Sequence, residues 1–380
     1  MGKPRRPNLD RRREQVEIDR EKWRIIISGG GTGGHLFPGL AVGEEICRRR
    51  PKSEILFITG RRKMERFVME RSGFLHASIA VEGIKGRGWV RGTAVMLKLP
   101  LGFLQSLFLI KRFSPHLVIG VGGYSSGPAC LAAWVLGLPT AIHEQNSFPG
   151  LTNRLLCRVV DRVFISFEES RDHFPGGKLL LTGNPIRQDL LKRSGPSKGS
   201  DGEFTVLAVG GSQGARAIND AMLEALEILK GWGINPRVIH QTGEKDFERA
   251  REAYEGRGLR GDVMPFINDM AEAYGQADIV IGRAGASTVS ELAALGIPSV
   301  LIPYPHAANR HQETNALLLV RAGGADMILQ EDLTGRKLAD LLEGYMNNQK
   351  ILEEMGRKAE KVGRRDAAEV IVDHLEALAA

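Results

Sequence analysis

The chain reads as two doubly wound α/β domains, and three observations predict this. Its 380 residues exceed what one hydrophobic core usually organises. Short apolar runs alternate with amphipathic stretches of helical length, the pattern of parallel strands buried on both faces. That pattern stops at residues 188–202, rich in Gly, Ser, Pro and charge, and then restarts, so this segment is expected to be a linker.

Residues 1–22 are nearly free of apolar side chains, which predicts a solvated, disordered extension. Strands follow at Trp23 to Ser28, EILFIT (54–59), HLVIGV (116–121), TAIHE (140–144), RVFIS (162–166) and KLLLTG (178–183). The first domain is thus expected over 23–187. In the second half, strands are expected at FTVLAVG (204–210), PRVIHQTG (236–243), DIVIGR (278–283) and IPSVLIPY (297–304). Helical stretches such as Ala217 to Leu229 and Asn315 to Ala322 separate them, giving a second domain over 203–363. From Arg336 to Ala380 the spacing is helical throughout, and this tail either caps the second domain or crosses back to the first.

Composition narrows the class. Hydrophobic residues make up 42% and charged residues 26% of the chain, which fits a folded chain and excludes a disordered or collagen-like one. Cys47, Cys130 and Cys157 are too few and too scattered for a disulfide framework or a C-x-x-C metal site, which predicts a reducing compartment. A net charge of +7 points to nucleic acid, an anionic membrane surface or a phosphorylated substrate. There is no 18-residue uncharged apolar stretch and no apolar h-region near the start, so neither a spanning helix nor a signal peptide is expected and the chain should stay in the cytosol.

Four glycine loops follow strands: IIISGGGTGGH (25–35), VGGYSSGP (121–128), TVLAVGGSQGA (205–215) and GRAGASTVSE (282–291). Glycine lets backbone approach an oxygen-rich ligand, and the next helix offers N–H groups and partial positive charge. Any one loop could be a simple βα turn. Four at the carboxyl ends of strands favour a phosphate-binding cleft between the domains. Gly29, Gly31 and Gly34 also satisfy G-x-G-x-x-G, but the second strand ends in Thr59-Gly60-Arg61-Arg62-Lys63 without the acidic residue of an NAD site. An NADP oxidoreductase stays open on Arg61. No D-x-D occurs and no cluster has metal-ligand spacing, so no metal and no cofactor are expected. Helix N-termini and positive side chains would then stabilise a leaving diphosphate.

GGGTGGHLFPGLAV, GGYSSGP, HEQNSFPGLTNR, GNPIR, GGSQGA and GRAGASTVSELAALGIPSVLIPYP, in this order, resemble the MurG family from about Trp23 to the C-terminus. Its members are bacterial enzymes that move GlcNAc from UDP-GlcNAc to lipid I, making lipid II of peptidoglycan. The resemblance implies a GT-B fold, two Rossmann-like domains facing a cleft. Lipid I, the undecaprenyl-linked acceptor, would sit on the N-terminal half and UDP-GlcNAc mainly on the C-terminal half. It also implies that residues 364–380 return to the first domain.

His35 follows the first loop, where a neutral imidazole can take the proton of the attacking hydroxyl; the plainer role is to cap its own helix. Glu144 is the reserve base. The resemblance implies that Thr32, Gly33 and Gly34 contact the donor sugar and diphosphate, and that Asn146 and Arg187 serve the donor site. Tyr124, flanked by glycine and serine, suits a polar substrate better than a core. Ser212 and Gln213 open a helix where a hydroxyl can cap or bind phosphate. Thr288 to Glu291 reads T-x-x-E, a capping box. The family instead implies that Glu291 holds the two ribose hydroxyls, beside Ala286, Ser287, Thr288, Val289 and Ser290 of the same loop and helix. Ile267 would meet uracil through its backbone. Gln312, with His311 and Asn315, would reach GlcNAc hydroxyls, although His311 stands where some relatives carry glutamine and Asn309 where some carry aspartate.

Residues 84–112 combine Lys85, Arg87, Arg91, Lys98, Lys111 and Arg112 with Trp89, Leu97, Leu101 and Phe103. An apolar ridge with basic flanks suits an anionic leaflet, and Trp134 is counted with it. Leu104, Leu107, Phe108 and Leu109 are expected to be buried. The overall expectation is an inverting glycosyltransferase bound peripherally to the cytoplasmic face of the plasma membrane, with no nucleic-acid partner. The competing readings are a UDP-GlcNAc epimerase, the NADP oxidoreductase, and a non-catalytic scaffold that binds nucleotide sugar at the membrane.

Overall fold

The computed structural model describes residues 22–81, 89–192, 203–211 and 214–379, and side chains of all these except 89–98. The expected extension, most of the linker, Ser212 and Gln213, and the side chains of Trp89 and Leu97 lie outside the described set. By its internal contacts the chain divides into one unit of Met1–Arg187 with Asp366–Ala380 and a second of Gln188–Arg365.

The first unit carries β1 (Arg24–Ser28), α1 (Gly33–Arg49), β2 (Glu54–Thr59), α2 (Lys63–Ser72), β3 (Leu75–Ser78), α3 (Trp89–Phe113) and β4 (Leu117–Gly120). It continues through α4 (Ser126–Val135), β5 (Thr140–Glu144), α5 (Leu151–Leu156), β6 (Arg162–Ile165) and β7 (Leu179–Leu181). The strands pair in parallel in the order β3-β2-β1-β4-β5-β6-β7. Their alternate residues feed two cores. Ile25, Ile27, Phe57 and Ile119 pack on one face, while Ile26, Ile58, Val118 and Ile142 pack on the other. That is why these strands read as unbroken apolar runs.

The second unit holds α6 (Gln188–Lys192), β8 (Thr205–Val209), α7 (Arg216–Gly231), β9 (Arg237–Gln241), α8 (Phe247–Arg257), β10 (Gly261–Met264) and α9 (Met270–Gln276). Then come β11 (Ile279–Gly282), α10 (Ala286–Leu295), β12 (Ser299–Leu301), α11 (His311–Ala322), β13 (Ala325–Met327), α12 (Gly335–Asn347) and α13 (Gln349–Val362). Its parallel sheet runs β10-β9-β8-β11-β12-β13. The start of the expected linker is helical instead: α6 belongs to the second unit and buries Leu190.

The helical tail splits between the units. Helices α12 and α13 complete the second core with Leu338, Leu342, Leu352 and Met355. The last helix, α14 (Ala367–Ala379), packs along α1, placing Ile371, Val372 and Leu375 in the first unit's core. Ion pairs fasten it: Arg49 with Asp373, 2.5 Å, and Arg50 with Glu376, 2.9 Å. Behind them sits buried Glu45. Burial opposes its charge most strongly, but hydrogen bonds from Arg48 and Arg49 and their charges outweigh that and hold its carboxyl below the usual value.

Leu375 is fully buried against this core. Leu375→Ala should therefore cost about 2–5 kcal/mol, the range for a buried leucine. Urea unfolding should show the loss in the first unit's transition, with the second unit's unmoved.

Candidate functional site

Every described residue singled out for binding or catalysis lies at or beyond the carboxyl end of a strand of its own sheet. In each sheet the strand order reverses at one place, between β1 and β4 in the first and between β8 and β11 in the second. Helices leave such a point toward opposite faces, and open sheets bind ligands beside it, at the carboxyl ends of the strands. The four glycine loops follow β1, β4, β8 and β11, the strands that flank these two points.

In the first unit, Gly122 and Gly123 take φ of +89° and +81°, left-handed values that favour glycine. A Cβ on Gly123 would lie 2.1 Å from the Gly30 carbonyl, and one on Gly122 would lie 2.6 Å from His35 Nδ1. The two loops therefore touch backbone to backbone, with Gly30 N–H donating to Gly122 O at 3.3 Å. Gly29 N–H donates to Ile58 O, and Gly31 N–H to buried Glu65 at 2.5 Å. Glu65 also accepts from Arg62 N–H at 2.8 Å. With these three amides engaged by the protein, the first loop does not offer the pyrophosphate cradle that an NADP site needs.

Half-buried His35 is the third residue of α1, with Thr32 at the N-cap and no side-chain cap formed, so the capping role does not apply. Its Nδ1 lies 2.9 Å from Gln145 Oε1. Gln145 Nε2 lies 2.9 Å from Val121 O and 2.9 Å from Nδ1 of His143. His143 is fully buried, which pulls its pKa down to about 4 despite the neighbouring Gly183 carbonyl.

Both oxygens of Glu144, the reserve base, are engaged by its own loop and helix. One oxygen accepts from Asn146 N–H at 3.0 Å and the other from Gly150 N–H at 3.0 Å and Asn153 Nδ2 at 2.8 Å. Its chemistry is to brace its own loop. Asn146 turns its amide toward the same carboxylate at 3.3 Å. Tyr124, expected to suit a polar substrate, is half-buried and packs its ring against the core. Arg187 stacks its guanidinium 5.0 Å from the Phe37 ring. Gly33 and Gly34 form the first turn of α1.

In the second unit, α10 begins at Ala286 with Gly285 as N-cap, so Thr288 and Glu291 lie inside the helix. The capping box expected there does not form, because the helix starts before it. The Glu291 carboxylate instead accepts from Tyr274 OH at 2.9 Å. Ala286, Ser287 and Thr288 form the first turn, whose amides point along the axis toward the crevice, followed by Val289 and Ser290. Ile267 is buried and donates its N–H to Gln241 Oε1 at 3.3 Å, while Gln241 Nε2 donates to Gly211 O at 2.9 Å. Gln312 Oε1 accepts from Tyr304 N–H at 2.9 Å, and His311 Nδ1 lies 2.7 Å from Ala308 O. Asn315, expected among the sugar ligands, is 0% exposed and donates to Ala284 O at 3.2 Å.

The surface of α3 departs furthest from expectation. Its buried stripe is Gly102, Ser106 and Ile110, and the outward one carries Leu101, Leu104 and Phe108. Leu104 and Phe108, expected inside, are 60% and 62% exposed. Phe103 and Trp134 are half-buried. Exposed pairs one turn apart recur on Leu131 and Val135 of α4 and on Leu151 and Leu155 of α5. A groove of about 330 Å³ between α3 and β3 is lined by Ala77, Ser78, Leu104, Gln105, Phe108 and Leu109.

Two domain families match the two units: the glycosyltransferase family 28 N-terminal domain over residues 25–165 and the glycosyltransferase family 28 C-terminal domain over 205–371. The chain belongs to glycosyltransferase family 28. A relative from Syntrophus aciditrophicus (strain SB) is 47% identical over 358 residues, covering 93% of this chain and 98% of the relative. One from Myxococcus xanthus (strain DK1622) is 44% identical over 350 residues, covering 92% and 91%. Both carry the name UDP-N-acetylglucosamine--N-acetylmuramyl-(pentapeptide) pyrophosphoryl-undecaprenol N-acetylglucosamine transferase. The crystal structure of Acinetobacter baumannii MurG superposes with a TM-score of 0.73 at 31% identity, covering 93% of this chain and 99% of that one. With the two parallel sheets, this makes the fold GT-B. A UDP-GlcNAc 2-epimerase from Neisseria meningitidis, at 14% identity and a TM-score of 0.66, shares the fold alone.

Four residues that brace these loops escaped the sequence reading. Gln145 stood inside the quoted HEQN without a role, and Gln241 ends an apolar strand as VIHQ, a polar interruption that could have flagged it. Glu65 and Tyr274 gave no signal, since their partners lie 34 and 17 residues away.

Each unit of this family 28 chain also hides a neutral histidine. Burial lowers His240 to about 4, as it does His143, from an ordinary 6.5. Between those values the unfolded chain binds a proton that the folded unit refuses, so stability falls with falling pH, by about 1.4 kcal/mol per unit for each histidine. Below the folded pKa the loss stops growing. Urea midpoints should drop from pH 6.5 to 4, and His240→Gln should flatten the slope of the second unit's transition.

Proposed function

We propose that this chain transfers GlcNAc from UDP-GlcNAc to the muramoyl O4 hydroxyl of lipid I, yielding lipid II for peptidoglycan synthesis. The observation that carries the reading is the 47% identity, over 98% of its length, to a relative named for that transfer. The hydroxyl oxygen attacks C1 of α-linked GlcNAc, the C1–O bond to UDP breaks with its electron pair leaving on UDP, and His35 takes the hydroxyl proton. Inversion gives the β(1→4) disaccharide. An epimerase is not favoured, because the epimerase structures are alike in fold only.

The first unit serves the acceptor. Its exposed apolar pairs, flanked by exposed Lys111 and Arg112, suit a leaflet in which the undecaprenyl tail stays embedded. No helix among the described residues is long and apolar enough to cross a membrane. On this reading the membrane-held acceptor and the exposed apolar pairs put the chain peripherally on the cytoplasmic face, without a nucleic-acid partner, and lipid II supply ties it to cell shape and division. The second unit serves the donor. The α10 N-terminus meets diphosphate, Glu291 takes the ribose hydroxyls, the Ile267 backbone faces uracil, and Gln312 with His311 reads the sugar.

Labelled GlcNAc should pass from UDP-GlcNAc to a lipid I analogue in excess EDTA. UDP-GlcNAc consumed equally well without acceptor would favour epimerisation, and loss of transfer on chelation, restored by magnesium, would refute the metal-free diphosphate site.

Glu291→Ala should weaken UDP binding by about 1.5–3 kcal/mol. Tyr274→Phe removes the same internal hydrogen bond while sparing the carboxylate. Equal losses of Tm in the two variants with unchanged UDP affinity would leave Glu291 a purely structural partner of Tyr274.

A further inference from the structure

Three side chains of the first unit form a polar chain anchored by two backbone carbonyls. It runs from His35 through Gln145 to His143, whose Nε2 lies 3.1 Å from Gly183 O and 3.3 Å from Ser166 Oγ. A carbonyl only accepts, so each group facing one must donate. Val121 O, 2.9 Å from the Gln145 amide, therefore fixes the amide nitrogen on its side and turns the amide oxygen to His35. A flipped amide would set two acceptors against each other. Gly183 O likewise fixes the His143 proton on Nε2, leaving a lone pair on Nδ1 for the second Gln145 hydrogen. Ser166 is consistent with this, since its hydroxyl donates to Glu144 O at 3.0 Å and leaves its oxygen to face His143. Both carbonyls give the same assignment.

An oxygen 2.9 Å from His35 Nδ1 requires a proton on that nitrogen. In the neutral ring the lone pair then lies on Nε2. Free imidazole side chains favour the opposite tautomer, so this one has to be imposed. We propose that Gln145 is a positioning residue that holds His35 in the tautomer with its basic nitrogen at Nε2, with His143 locking the amide from behind. Gly122 supplies the gap through which the bond is made, since a Cβ there would lie 2.6 Å from His35 Nδ1 and 3.1 Å from Gln145 Oε1. The proposal rests on the reading of His35 as the base.

The test combines nitrogen NMR of histidine-labelled protein with kinetics. Wild-type His35 should carry its neutral-form proton on Nδ1. Gln145→Leu should move it to Nε2 and lower kcat about 10²-fold to 10⁴-fold, the scale seen when a catalytic histidine is held in the wrong tautomer, with KM for UDP-GlcNAc within about twofold. Because that variant also strips Val121 and His143 of a donor, the wild-type spectrum stands as a measurement independent of its folding. A wild-type proton on Nε2 overturns the proposal. So does full kcat in folded Gln145→Leu when His35→Ala is inactive. Full kcat in His35→Ala overturns the base reading itself, and the proposal with it.

Discussion

The pairing of β1 with β4, and of β8 with β11, constrains everything built above them. Each pair joins strands whose following helices depart to opposite faces, so neither loop can be covered by its neighbour's helix. In the first unit the vacated space is closed instead by main chain, Gly123 resting against the Gly30 carbonyl at a distance no Cβ would permit. That contact brings the start of α1 over the end of β4. Only there can an imidazole on α1 reach an amide that follows β5.

Both units then solve one problem in one way. Loops at a crevice expose backbone groups that a helix or sheet would have satisfied, and leaving one unpaired costs about 1–3 kcal/mol. A glutamine at the carboxyl end of a strand takes up the slack with both ends of its amide. Gln145 spans Val121, His143 and His35, and Gln241 spans Gly211 and Ile267. Beside each lies a buried histidine that is kept neutral: His143 behind Gln145, and His240, held between Asn219 and Tyr254 at 3.1 Å from each. Neutral groups can be buried with full hydrogen bonding at little cost, whereas a charge there would need a partner.

The central strands were legible because burial on both faces writes an unbroken apolar run, as in Arg24–Ser28 and Ile279–Gly282. Strands β3, β10 and β13 were not, since all three are sheet edges and LHAS, GDVM and ADM carry no such run. Helix starts misled for a related reason. T-x-x-E is a cap only if the helix begins at the threonine, and here Gly285 ends an extended approach that begins it earlier. Hydrophobicity alone also could not say which side of α3 is covered, because the covered stripe is made of small residues, Gly102 and Ser106, and the larger Leu104 and Phe108 face outward. Gln145 was in view from the start. Its meaning depends on a carbonyl of another strand's end, which becomes a neighbour only once β4 and β5 have paired.

Helix α14 gives the chain an order of assembly. The first unit is begun by β1 yet lacks three buried core residues until Ile371, Val372 and Leu375 arrive, so the second unit is in effect inserted within it. On a ribosome, which releases residues in sequence, Gln188–Arg365 can close its core while its elder neighbour still exposes the flank of α1. The first unit is thus the last to become complete although its synthesis starts first, and a chain cut short after Arg365 would carry a finished second unit and an unfinished first one.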